Sequence, residues 1–302
     1  MIVQEKLPLR RIWPTIAHRL TLLFLFDLAI AALYSLAGWK WLALSGLPLS
    51  TMGSAIGIFL AFRTNSAYER WWEARILWGG MVNASRTLAR QTLTLIDNDE
   101  ESGTGKRIRK RLLQLQIAFV GAVRCHLRRQ NPFPELRSLL GVESAEEFRG
   151  QQNVPSAILL RKAATLQEAK EEGLLTDFRW MQMDSTLSEM TNLLGGCERI
   201  KSTPLPRQYD FFPRILVTAY CVLLPFGLVE GMGLLTPLAS TVVSFIFVAL
   251  DKVGRDIEAP FENSVHDTPL TSITRNIEIN LRQLFGERNT PPEVEAVDGF
   301  LY

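Results

Sequence analysis

Gly53-Ser54-Ala55-Ile56-Gly57-Ile58-Phe59-Leu60-Ala61-Phe62 runs straight into Arg63-Thr64-Asn65-Ser66-Ala67-Tyr68-Glu69-Arg70-Trp71-Trp72-Glu73-Ala74-Arg75. The first ten residues carry no charge; the next thirteen carry five charged side chains. No proline interrupts the passage, and Pro48 lies where a helix start tolerates it. The pattern predicts one helix that leaves a bilayer and continues into water, an element that suits a pore lining better than a simple anchor.

Working outward, residues 20–37 are almost wholly apolar and reach spanning length with Ile16 and Ala17. Residues 47–62 form a shorter apolar segment. Residues 211–229 and 234–250 make an apolar pair around Gly231-Met232-Gly233 and Thr236-Pro237, which predicts a helical hairpin. Between these ends, residues 63–96 place Ala67, Trp71, Ala74, Trp78, Val82, Ser85 and Leu88 at three-four spacing. Further amphipathic helices are expected over 107–129, 155–172, 176–201 and 273–285, with a polar loop at 97–105 and a tail from Gly286. The fold class is therefore all-α, an integral membrane protein. Its stretches are 1–62 (N-terminal segment and two membrane helices), 63–205 (cytosolic helical region), 206–250 (membrane hairpin) and 251–302 (C-terminal helix and tail).

The composition excludes several classes. Net charge is +2 over 302 residues, and no basic face interleaved with aromatics suggests nucleic acid. Cys125, Cys197 and Cys221 are far apart and lack metal spacing. There is no HExxH, nucleophile elbow or phosphate-binding glycine loop, and His18, His126 and His266 are scattered. No enzyme, cofactor or metal is expected. Arg10, Arg11 and Arg19 precede the first apolar run, which is long for a signal peptide and followed by a poor cleavage site, so a retained membrane helix is expected. The two outer connections, 38–46 and 230–233, hold only Lys40 of the 33 basic residues. Both termini should then be cytoplasmic, in a multi-pass inner-membrane protein.

Within the second segment, Gly53, Gly57 and Ala61 form a small-residue stripe that allows close helix approach. Ser54, Ile58 and Phe62 form the stripe next to it. If copies surround an axis, this stripe lines an apolar throat, which gates by dewetting; the alternative is that Ile58 and Phe62 face lipid or the core. Asp27 lies inside a span, where it either bonds a neighbouring helix or joins an ion pathway. Trp71 and Trp72 suit a membrane boundary, and Arg70 and Glu73 stand close enough along a helix to pair.

Together these residues resemble the bestrophin family of ion channels, its prokaryotic branch most closely. The strongest stretch is 57–75 followed by Trp78-Gly79. Supporting stretches are Asp177-Phe178-Arg179-Trp180-Met181-Gln182-Met183-Asp184, Gly196-Cys197-Glu198-Arg199-Ile200, Asp256-Ile257-Glu258-Ala259-Pro260-Phe261 and Arg275-Asn276-Ile277-Glu278. The resemblance implies a homopentamer in a lipid bilayer, with four membrane-level helices per subunit and a large cytosolic bundle around one pore for small inorganic ions. Its neck maps onto Ser54, Ile58 and Phe62, where Ser54 departs from the family's apolar pattern. Arg63, Arg70, Trp71, Trp72 and Glu73 fall at the boundary that supports this neck. A cytosolic aperture maps onto Phe178 or Met181. Animal members open on calcium held in an aspartate-rich clasp after a Pro-Phe pair. Here Pro260-Phe261 leads to Glu262-Asn263-Ser264-Val265-His266-Asp267, with too few carboxylates for that cation. The prokaryotic likeness implies a monovalent cation, sodium-like; acids near a pathway favour cations, and Asp27, Asp184 and Glu189 are the candidates. A chloride channel, or a membrane-anchored scaffold that does not conduct, are the alternatives.

Overall fold

The computed structural model describes residues 9–97, 103–297 and 299–301. Residues 98–102 of the predicted polar loop, and the side chains of Arg10 and Arg11, lie outside the described residues. Among the described residues there are ten α-helices and no strand: α1 (Leu9–Ser35), α2 (Leu49–Leu95), α3 (Thr104–Leu127), α4 (Phe133–Leu140), α5 (Val142–Glu146), α6 (Val154–Glu171), α7 (Asp177–Ser202), α8 (Arg207–Met232), α9 (Thr236–Glu258) and α10 (Leu270–Leu284).

The predicted unbroken helix is α2. Its 47 residues run for about 70 Å at 1.5 Å per residue. Gly79-Gly80 does not break it, because packing outweighs the roughly 1 kcal/mol that each glycine costs a helix. A side chain at Gly80 would meet Leu193 of α7, and one at Gly196 of α7 would meet Leu77 of α2. Each helix thus offers a glycine to the other's leucine.

The chain divides into two compact units. The hairpin unit comprises the described residues through Trp71 together with Pro204–Ala259. Its core joins Ile16 and Leu20 of α1, Ile56 and Leu60 of α2, Val217, Tyr220 and Leu224 of α8, and Val248 of α9. The Tyr220 and Phe247 rings meet edge-on at 4.9 Å, a favoured aromatic geometry. Among the described residues, two segments are long and apolar enough to cross a membrane, Ile16–Ser35 and the 52 residues Arg207–Glu258. A short 3₁₀ turn at Gly233–Leu235 divides the second into α8 and α9, as the glycine-rich connection predicts. Pro213 and Pro225 lie inside α8, and prolines are tolerated where neighbouring helices re-satisfy the freed carbonyls.

The bundle unit comprises Trp72–Thr203 and the described residues from Pro260 onward. Trp78 and Met81 of α2, Phe119 of α3, Ile158 of α6, Met190 of α7 and Leu281 of α10 are among its fully buried side chains. Asn153 caps α6 by accepting from the Ser156 amide at 3.0 Å, and Thr176 caps α7; such caps satisfy amides that the first helical turn leaves unpaired.

Three sequence expectations change. Asn131-Pro132-Phe133-Pro134 ends α3 and also starts α4, because Pro134 falls in a first turn where its missing N–H costs nothing. Helix α9 does not stop at Leu250; it runs on to Glu258, so 251–259 group with the hairpin and not with the C-terminal helix. The tail from Gly286 contains a bridge between Val297 and Phe300, whose ring is buried.

Candidate functional site: an exposed apolar stripe on α2 and its buried arginine

The faces of α2 separate at residue 54. Ile56 and Leu60 pack into the hairpin-unit core, while Ile58 is 60% and Phe62 66% exposed. Ser54 is also exposed, and its hydroxyl donates to the Ser50 carbonyl at 2.9 Å, so its own helix satisfies it. Within one chain, then, this stripe is no part of the core. The small-residue stripe is used unevenly. A side chain at Gly53 would strike the Tyr220 hydroxyl, whereas Gly57 has open space around it and Ala61 is exposed.

Arg63 follows Phe62 and is 1% exposed. Three carboxylates surround it. Nη1 donates to Asp251 Oδ1 at 2.8 Å and to the Asp251 carbonyl at 3.3 Å. Nη2 donates to Asp210 Oδ1 at 2.9 Å and to Glu258 Oε2 at 3.4 Å. Asp251 is nearly as buried and holds Arg255 as well, at 2.8 Å. One guanidinium thus ties α2 to the start of α8 and the end of α9. Its planar fork suits this better than an ammonium would. Gly254 packs closely alongside: a side chain there would lie 3.2 Å from the Thr64 hydroxyl. Arg70 adds a second tie, donating from Nε to the Glu258 carbonyl at 3.1 Å. The result fixes the rotation of α2 at Phe62, and so the direction of the exposed stripe. Sequence reading placed Arg63 at the boundary but missed Asp210, Asp251 and Glu258. The available signal was that all three acids flank the apolar hairpin.

The other candidates are distributed as follows. Trp72 is exposed, Trp71 half-buried, and Trp71 stacks on Tyr68 at 6.1 Å. Glu73 accepts from Arg199 of α7. On α7, Phe178 and Met181 are 86% and 61% exposed, and Glu189 shares their open face; Asp184 is half-buried. Asp27 is fully buried and accepts from the Ser240 hydroxyl of α9. This bond joins α1 to α9, and burial takes Asp27 off any open face. After Pro260-Phe261, Glu262 pairs with Lys201 at 2.6 Å and buried Asp267 accepts from the Ser264 amide at 3.1 Å. Both carboxylates are engaged within the protein. Among the described residues no group of three or more His, Cys, Asp or Glu side chains is arranged to hold a metal ion.

The profile of the family described as Bacterial/Fungal Bestrophin protein matches residues 9–283. The voltage-dependent anion channel-forming protein RSc3414 of Ralstonia nicotianae is 35% identical over 287 residues, covering 94% of this chain and 91% of that protein. The voltage-dependent anion channel-forming protein YneE of Escherichia coli K12 is 33% identical over 282 residues, covering 92% and 90%. Among solved structures, a bacterial bestrophin homologue from Klebsiella pneumoniae superposes with a TM-score of 0.83 at 33% identity, covering 91% of this chain and all of that one. A further structure, described as a membrane protein, gives 0.84 over 91% of this chain. With most of the chain matched by profile, by relatives and by structure, the protein belongs to the bacterial and fungal bestrophin family.

Proposed function

We propose that this chain is an ion channel that assembles as a homopentamer in the bacterial inner membrane and conducts small anions through a neck lined by Ser54, Ile58 and Phe62. The observation that carries the reading is the exposure of Ile58 and Phe62 on a helix whose opposite face is packed and whose rotation Arg63 fixes. Five such stripes around an axis form an apolar collar that gates by dewetting. The expectation of a cation is corrected here. The named relatives are anion channel-forming proteins, and Asp27, one of the acids that favoured a cation, is sealed inside its own helix packing.

In this reading α1, the first part of α2, α8 and α9 lie at membrane level. The scarcity of basic residues between α1 and α2 and between α8 and α9 supports cytoplasmic termini. Phe178 or Met181 forms a second constriction, and their exposure on α7 supports that assignment. Calcium activation of the animal type is not expected, since Glu262 and Asp267 already have partners.

Planar-bilayer recording under a chloride gradient tests the proposal. The reversal potential should move toward the chloride equilibrium value, and Ile58→Ala and Phe62→Ala should each raise conductance. Reversal toward the cation value would overturn the anion assignment. Unchanged current from a properly assembled Phe62→Ala would overturn the neck.

A further inference from the structure

A cavity of about 790 Å³ opens in the hairpin unit where α8 begins and α9 ends, lined in part by Leu205, Arg207, Phe211, Phe212 and Arg255. Two carboxylates, Asp210 and Glu258, also border it. Both accept from Arg63, at 2.9 Å and 3.4 Å, and Arg63 also holds Asp251. Arg255 is tied to Asp251 at 2.8 Å through Nη2, while its buried Nε has no hydrogen-bond partner among the described residues. Arg207 has no ion-pair partner among the described residues, and neither has Arg214. The four guanidinium groups of Arg63, Arg207, Arg214 and Arg255 stand against the three carboxylates of Asp210, Asp251 and Glu258, so the cluster keeps one positive charge and favours an anion.

Helix α8 adds to this. Its N-cap is Pro206, which gives no side-chain bond; the Tyr209 amide donates to the Pro206 carbonyl at 2.8 Å, which leaves those of Arg207 and Gln208 uncapped, and such amides attract anions. Arg207, Phe211 and Arg214 follow i, i+4, i+7 spacing, placing a phenyl ring between two guanidinium groups on one face. Phe211 and Phe212 are both exposed and touch edge-on at 6.0 Å. A soluble anion would use the arginines and leave this ring pair in water. A molecule with a phosphate at one end and acyl chains at the other would use both.

We propose that this cavity seats an anionic phospholipid of the cytoplasmic leaflet, its phosphate on Arg207 and the α8 amides, Arg214 beside it, and its acyl chains along Phe211 and Phe212. The assignment rests on reading α8 and α9 as membrane helices. Because Asp210 and Glu258 border the cavity and also hold Arg63, the bound lipid gives the leaflet a contact with the residues that orient the neck.

The test uses the assembled protein in mixed micelles of phosphatidylglycerol and phosphatidylcholine at equal concentration, with retained lipid measured by mass spectrometry. Wild-type protein should retain phosphatidylglycerol preferentially. Arg207→Gln should lower that preference about 5-fold, and Arg207→Gln with Arg214→Gln about 25-fold. Arg90→Gln, an exposed site on α2 in the bundle unit, should leave it unchanged. Equal retention of the two lipids by wild type would overturn the site. So would an equal loss in Arg90→Gln, which would indicate bulk charge, or displacement of the lipid by inorganic phosphate, which would indicate a soluble-anion pocket. Retention needs no current, so a protein that holds phosphatidylglycerol but does not conduct would support the lipid site while removing the channel reading.

Discussion

Replacing Arg63 with Met removes one charge and keeps most of the volume. Three carboxylates then lose their shared partner, but they do not lose equally. Asp210 is 46% exposed and recovers water, so its share is the small one expected of a surface pair. Glu258 is 20% exposed and recovers part. Asp251 is 2% exposed and recovers almost none, though it keeps Arg255 at 2.8 Å. Removing one member of a buried pair costs roughly 3–5 kcal/mol. The retained Arg255 and the wet Asp210 place Arg63→Met at the low end, about 3 kcal/mol. At ~2–4 °C per kcal/mol for a unit of this size, thermal unfolding of the assembled protein in detergent should fall by roughly 6–12 °C. Adding Asp251→Asn removes the stranded charge. The double variant should therefore be less destabilised than the sum of the singles, with a coupling on the order of 1–3 kcal/mol. In bilayers, Arg63→Met should also blunt the conductance increase of Phe62→Ala, because the neck face no longer has a fixed direction. Strict additivity of Arg63→Met and Asp251→Asn would refute the reasoning, since it would mean that the two side chains do not share an energy.

Three further outcomes follow. Lys162 is fully buried, its Nζ donating to Gln116 at 2.6 Å above the Phe119 ring, and burial pushes its amine well below the ordinary 10.5. The unfolded chain then binds more protons than the folded one, so stability should rise as pH climbs toward 10.5; Lys162→Met should raise the melting temperature at pH 7 and flatten this slope. Burial, with Glu198 and Glu73 nearby, pushes the Cys197 thiol up to about 12, and Cys125 and Cys221 are also buried. A thiol reagent at pH 8 should label none of the three until the protein is unfolded. Asp27→Asn should lower thermal stability through its weakened bond to Ser240 yet leave the reversal potential unmoved; a shifted potential would put Asp27 on the conduction path.

How much of this was legible in the sequence depends on how local each cause is. Helix α2 was readable because its causes lie within a few residues: no proline from 49 to 95, an uncharged run, then charges at helical spacing. The hairpin was readable for the same reason, through its glycines and Pro237. Periodicity could name the Ser54-Ile58-Phe62 stripe but not its environment, because a helix face looks alike whether it meets core, lipid or an axis. Only packing removed the core from that choice, by burying Ile56 and Leu60 instead. The Arg63 cluster was beyond local reading altogether. Its partners lie 147, 188 and 195 residues away, and nothing near Arg63 names them. What the sequence did contain was a constraint. An arginine that directly follows an apolar membrane segment must find anions or water, and Asp210, Asp251 and Glu258 are, with Glu230 and Asp256, the acids that flank the apolar helices α8 and α9 of the same unit. Counting acids at the ends of these helices against the arginine after Phe62 would have nominated all three, together with Asp256, which pairs with Lys252 instead. Against those three acids stand Arg63, Arg255, Arg207 and Arg214, one cation more than anions, and Arg207 and Arg214 have no ion-pair partner among the described residues, which is why the membrane itself is the partner proposed for them.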